Sequence, residues 1–221
     1  MVRVFESEIE KLKAKVLTLS SMVEEAVFKA VKAVQMRDIA LAESVKENDS
    51  NVDNMEVEIE EDCLKILALH QPVAIDLRFI VAVLKLNNDL ERIGDLAVNI
   101  ARRAKTLAKL EDTPELLDFH GMAEKVKAML RRCLEALVHL DADIAKEVCA
   151  ADDEIDTLNR QMYEKVHQAI KRNPDQSDKL IHLFAVSRNL ERIADHATNI
   201  AEDVIYMIQG EIVRHGKGLS Y

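Results

Sequence analysis

The sequence predicts an all-α protein: two tandem three-helix bundles related by a pseudo-twofold axis. Three observations predict it. LERIGDLAVNIA at Leu90–Ala101 returns as LERIADHATNIA at Leu190–Ala201, nine of twelve positions identical at an offset of one hundred. Apolar residues recur at alternating steps of four and three over long stretches, the period of a packed helix. Five glycines and three prolines are too few to punctuate a sheet protein with turns, and the richness in Ala, Leu, Glu and Lys favours helix.

The repeat extends upstream of the matched dodecamer. At an offset of 103, Asp38, Ala42, Val45, Asp49 and Asp53 align with Asp141, Ala145, Val148, Asp152 and Asp156. The change of offset falls in the connection before Pro72 and Pro174, where insertions are tolerated. Helices are expected at about 4–35, 38–69, 72–110, 114–139, 141–171 and 174–212. The prolines mark starts: Gln71-Pro72, Thr113-Pro114, and Asn173-Pro174 with Asn173 as the capping residue. The third helix carries the clearest stripe: Phe79, Val83, Leu86, Leu90, Ile93, Ala97, Ile100, Ala104 and Leu107. Its counterpart carries Leu183, Val186, Leu190, Ile193, Ala197, Ile200, Val204 and Met207, and such sustained spacing reads as a coiled-coil-like seam. The domains expected are 1–111 and 112–213, with a frayed tail at 214–221.

Composition narrows the function. A formal net charge of −10 argues against nucleic acid and suits cations or a basic partner surface. Cys63, Cys133 and Cys149 are odd in number and lack CxxC spacing, against a disulfide framework or thiolate zinc site. The charged opening MVRVFESEIEKLK has no apolar signal core, and FIVAVL, the longest apolar run, is far short of a membrane span. A soluble, cytoplasmic protein is expected. Nucleotide loops, GxSxG and HExxH are absent, so no catalytic constellation is in view.

The repeated acids are what packing does not explain. With Leu90 and Ile93 in the seam, Glu91, Asp95 and Asn99 line a face pointing away from it, as do Glu191, Asp195 and Asn199. Asp49 and Asp53 on the second helix, and Asp152 and Asp156 on the fifth, give each half two acid-xxx-acid pairs. Like charges four apart cost about 0.2–0.5 kcal/mol per pair. Their repetition, with an amide alongside, suits a hard cation, or iron or manganese in an oxygen-rich site. A solvated outer face is the plainer alternative for any single pair. Arg92 and Arg192 repeat too, but adjacent residues on a helix do not face each other, so they are not expected to pair with Glu91 and Glu191.

NNDLERIGDLAVNIA, RNLERIADHATNIAEDVIY, QPVAIDLRFI and the two D-x-x-[VI]-D stretches resemble the PhoU family of bacterial phosphate-signalling regulators. The resemblance spans nearly the whole chain. It implies metal clusters on paired E/D-x-x-x-D motifs: Asp49, Asp53, Glu91 and Asp95 in one, Asp152, Asp156, Glu191 and Asp195 in the other. Asn99 and Asn199 join them as secondary ligands, and Asn159 stands where Glu56 stands in the first half. Iron is the metal implied first, with zinc, manganese, nickel or calcium as alternatives. The resemblance further implies a homodimer or higher oligomer, and negative control of the phosphate regulon through the sensor kinase PhoR and the transporter ATPase PstB. Contact with the membrane would come only through those partners.

Two rivals remain at the level of sequence. A di-iron carboxylate enzyme in a helical bundle needs inward E-x-x-H motifs on two helices, and only Glu164 to His167 fits. A metal-free helical adaptor fits if the acids merely solvate the surface. The single Asp76-x-Arg78 stretch, whose Arg is lost in the second copy, reads as an ion pair or an exposed contact surface.

Overall fold

The computed structural model describes residues 2–110 and 120–210. They form α1 (Val2–Met36), α2 (Ile39–His70), α3 (Ala74–Leu107), α4 (His120–His139), α5 (Ala142–Arg172) and α6 (Ser177–Gln209). A 3-10 turn at Pro174–Gln176 leads into α6, and no strand occurs among the described residues. The helix start expected at Thr113-Pro114 and the tail 214–221 lie outside those residues.

Each bundle joins its first helix to its second through the same turn. Arg37 and Leu140, equivalent in the repeat, are left-handed with φ of 54° and 51°. The next backbone amide reaches back over the helix end in both places: Asp38 N to Ala33 O and Asp141 N to Ala136 O, each at 3.0 Å. Such a bond satisfies a carbonyl orphaned by the helix end. Asp38 and Asp141 then cap the following helix. Asp38 accepts from Leu41 N at 2.9 Å, and Asp141 from Asp143 N and Ile144 N at 2.9 and 3.1 Å. Asn173 is not a cap: its side chain makes no capping bond, because the 3-10 turn separates it from α6. α3 likewise begins at Ala74, after an uncapped Val73, and not at Pro72. Asp38→Ala is expected to cost about 1 kcal/mol in urea unfolding, and Asp141→Ala about the same.

α1, α2 and α3 pack mutually, as do α4, α5 and α6. The bundles meet mainly through α3 against α6, with α1 touching α4, while α2 and α5 contact only their own bundles. Cross-links between the two central helices run in opposite directions along them. Lys85 Nζ sits 3.1 Å from Asp203 Oδ1, His196 Nδ1 2.7 Å from Asp89 Oδ1, and Arg103 Nη1 3.0 Å from His182 Nδ1. Their antiparallel order places the pseudo-twofold axis beside Ile93 and Ile193, both fully buried.

The two seams are buried as the periodicity predicts, apart from their half-buried first residues Phe79 and Leu183. Burial on α3 is nevertheless wider than one stripe. Asn87, Gly94, Leu96, Val98 and Ala101 are also inside, because the helix faces α1, α2 and α6 at once. At Gly94 a Cβ would lie 3.2 Å from Val52 Cγ1, so α2 comes close to α3 beside Asp95. One continuous apolar core runs through both bundles.

Candidate functional site: two carboxylate grooves

The repeated acids do not point away from every neighbour. Asp49 and Glu91 are half-buried in the groove between α2 and α3, with Asp95 partly so and Asp53 exposed at the edge. Asp152, Asp156 and Glu191 are half-buried between α5 and α6, with Asp195 more open. A wheel drawn for one seam makes everything opposite it outward. The central helix has three packed sides, so its second side becomes the wall of a groove. Since α2 and α5 flank the molecule, the grooves lie on separate bundles.

Electrostatics shows which acids sense one another. Burial raises the Asp49 carboxyl above its usual range, and Asp53 and Asp95 raise it further against Arg102. Glu91 is raised by burial, then by Asp95, with Arg92 opposing and Asp53 and Glu56 adding. In the second groove burial, then Asp195 and Asp156, push Asp152 up to about 6. Glu191 is raised by burial, with Arg188 opposing and Asp156 and Asp152 adding. Asp195 is raised by burial, Glu191 and Asp156 against His196 and Arg188. Each motif pair therefore feels the pair on the neighbouring helix, as the repeat requires.

Arg92 corrects the sequence reading, since it pairs with both neighbours. Its Nε lies 3.4 Å from Glu91 Oε2 and its Nη1 3.2 Å from Asp95 Oδ2. The long guanidinium side chain folds around the helix surface, which Cβ positions alone do not convey. Within the Asp76-x-Arg78 stretch Asp76 and Leu77 are exposed, whereas Arg78 is half-buried. Gly210, at φ 75° on the C-terminal cap of α6, leaves room for it, since a Cβ there would come within 2.7 Å of Arg78 Nη1. A guanidinium at a helix C-terminus is favoured by the helix dipole.

The two asparagines are engaged in different ways. Asn99 Oδ1 accepts from Arg102 at 3.1 Å, whereas Asn199 Nδ2 donates across the bundle interface to Asp89 Oδ1 at 3.3 Å. His196 also pairs with Asp89. Glu164 and His167 are exposed, with His167 stacked on Tyr163, so they do not supply the inward pair that a ferritin-like centre requires. The three cysteines are free thiols, and burial pushes Cys63 and Cys149 up to about 12.

Whether these residues suit a cation can be judged from the donors. Among the described residues no three or more His, Cys, Asp or Glu side chains converge to hold an ion as they stand. Mutual repulsion favours that spread arrangement. Yet Asp152 Oδ1 and Glu191 Oε2 are buried and accept no hydrogen bond. Thr198 Oγ1 is buried without a well-formed bond too, although it lies near enough to Asp152 to oppose the rise in its pKa. Buried acceptors lacking a donor fit a hard cation, which would also offset the repulsion.

The sequence pattern of the PhoU domain matches residues 16–104 and again 119–204, one match on each bundle. The chain belongs to the PhoU family. A Pseudomonas putida protein named phosphate-specific transport system accessory protein PhoU homolog is 37% identical over 212 residues, 96% of this chain and 83% of its own. An Aquifex aeolicus protein of the same name is 39% identical over 208 residues, 94% of each chain. The crystal structure of PhoU from Pseudomonas aeruginosa superposes with a TM-score of 0.91 at 36% identity, covering 94% of this chain and all (100%) of that one. The phosphate transport system regulatory protein PhoU from Streptococcus pneumoniae gives 0.85 at 29% identity, covering 96% and 100%. The PhoU fold accounts for the tandem bundles and their repeated grooves.

Two contributors were missed in the sequence. Asn87 and Ser187, aligned by the repeat, are buried polar residues facing α2 and α5 beside the acids. Their only signal was a polar residue one position after a seam leucine or valine, which reads as ordinary surface until the neighbouring helix is placed.

Proposed function

We propose that this protein is a non-enzymatic regulator of phosphate uptake that represses the phosphate regulon. The observation that carries the reading is membership of the PhoU family along both bundles, with relatives named as accessory proteins of the phosphate-specific transport system. It acts by holding the transporter ATPase PstB and the sensor kinase PhoR in one state, through differential affinity for that state. In this reading it works as a cytoplasmic partner of the complex, as a homodimer or higher oligomer; no helix among the described residues is long and apolar enough to cross a membrane.

Metal belongs to the same proposal. Asp49, Asp53, Glu91 and Asp95 hold hard cations in the first groove, with Asn99 beside them. Asp152, Asp156, Glu191 and Asp195 do so in the second, with Asn199 nearby. Iron is the first candidate, and manganese suits the same oxygens. The unpaired oxygens of Asp152 and Glu191 support this assignment. The cation's chemistry here is electrostatic: it neutralises clustered carboxylates and ties α2 to α3, or α5 to α6.

The test is a deletion strain of an organism with no second copy. Phosphate-starvation genes should stay active in plentiful phosphate, and the wild-type chain should restore repression. A variant with all eight acids changed to Asn or Gln should restore it poorly if metal is needed, and fully if the protein is a metal-free adaptor. Normal repression in the deletion strain would overturn the regulatory reading.

A further inference from the structure

The two grooves differ at one pair of aligned positions. In the first, Asn87 Nδ2 on α3 donates to the Glu56 carbonyl oxygen on α2 at 2.9 Å, with Glu56 Oε1 at 3.4 Å. Asn87 is 1% exposed, and its Oδ1 accepts no hydrogen bond. The donation to a backbone carbonyl fixes which end of the amide is nitrogen, so the unpaired atom is the oxygen. Glu56 lies three residues after Asp53, and Glu91 one turn after Asn87. Glu56 and Glu91 interact, since Glu56 adds to the rise in the Glu91 pKa.

In the second groove Ser187 and Asn159 take the two places. Ser187 Oγ donates to Asn159 Oδ1 at 2.9 Å. That arrangement is neutral, and the Asn159 oxygen has the donor that the Asn87 oxygen lacks, with Met122 Sδ 3.3 Å from the same hydroxyl. The first groove has in the same place a carboxylate whose hydrogen-bond donor is the Asn87 amide nitrogen, and a buried amide oxygen without a donor. Both are hard oxygen ligands, of the kind that divalent cations take together.

We propose that Glu56 and the Asn87 carbonyl form an additional site for a hard divalent cation at one end of the first groove, which the second groove lacks. This rests on the reading of the grooves as cation sites, and it adds residues outside the repeated acid pairs. The asymmetry is built into the sequence, and it makes the first bundle the one that binds more cation.

Exchanging the pairs tests it, because each pair is already accommodated at the aligned place in the other bundle. Metal-free protein is titrated with Mn2+ by calorimetry, with unbound Mn2+ counted by electron paramagnetic resonance. Wild type should take about one more Mn2+ per chain than E56N/N87S, and N159E/S187N about one more than wild type. If E56N/N87S does not fold, Glu56→Gln, which keeps shape and acceptor, should weaken the corresponding binding step at least about tenfold. Equal stoichiometry in wild type and E56N/N87S, with binding reduced in E91A/D95A, would overturn the additional site alone and leave Asn87 Oδ1 bound to water. No Mn2+ binding by wild type would overturn both the site and the reading beneath it.

Discussion

Ile93→Ala should lower the stability of the whole chain by about 3–4 kcal/mol, as one transition and not two. Ile93 is fully buried where α3 crosses α6, beside the pseudo-twofold axis. Truncation there removes buried methyl and methylene groups and leaves a cavity that long helices cannot easily close. The core is continuous across both bundles, so the loss cannot stay in one of them. Ile193→Ala should match it closely. Ile75, 60% exposed, should tolerate the same change to within about 0.5 kcal/mol. Urea unfolding followed by circular dichroism reads all three. A biphasic curve in which only one step moves would show the halves to be independent.

The second large effect is a dependence on pH that reverses with metal. The folded-state pKa of Asp152 is raised to about 6 from its ordinary 3.8. The native state therefore binds this proton more tightly than the unfolded chain does. The contribution of this group to stability is highest below pH 3.8, falls as pH rises through about 6, and is level above it. At about 1.4 kcal/mol per unit the shift would correspond to about 3 kcal/mol, but solvent reaches this half-buried carboxyl and reduces it to about 1–2 kcal/mol. In chelator, Asp152→Asn should thus stabilise the protein by about that amount at pH 7.5, with the gain vanishing toward pH 4. The raised carboxyls of Asp49, Glu91, Glu191 and Asp195 add to the trend in the same direction. With Mn2+ present the variant should be the less stable protein, because it has lost a ligand whose binding favours the folded state. Thermal melts across pH 4.5–8, with and without Mn2+, test both signs. A variant less stable in chelator at pH 7.5 would show that the Asp152 carboxylate is not under repulsion there.

The apolar stripes on α3 and α6 were readable because their period survives any tertiary arrangement. The acids were readable as a set because the repeat preserved residues that packing does not need. Their placement was not, since a heptad drawn around Leu90 and Ile93 defines one partner, and α3 has three. The same limit hid Asn87 and Glu56, which become a pair only when α2 is laid beside α3. Capping shows a subtler failure. Asp38 and Asp141 stood in the alignment as matching acids, yet the sequence reading chose Asn173, whose proline begins a 3-10 turn instead of the helix itself. Local preference named a plausible residue, and the geometry of the joint decided.

The antiparallel crossing of α3 and α6 also bears on ancestry. Two equivalent helices related by a twofold form an isologous contact, the kind by which a single half could once have paired with its own copy. The present halves have diverged from that arrangement. Lys85 faces Asp203, whereas a first half paired with itself would set Lys85 against Arg103, the residue one hundred positions earlier. Asp89 would likewise lose His196 and meet Leu96. At these positions the first half is now better matched to the second than to itself, so fusion into one chain has let the two faces specialise for each other.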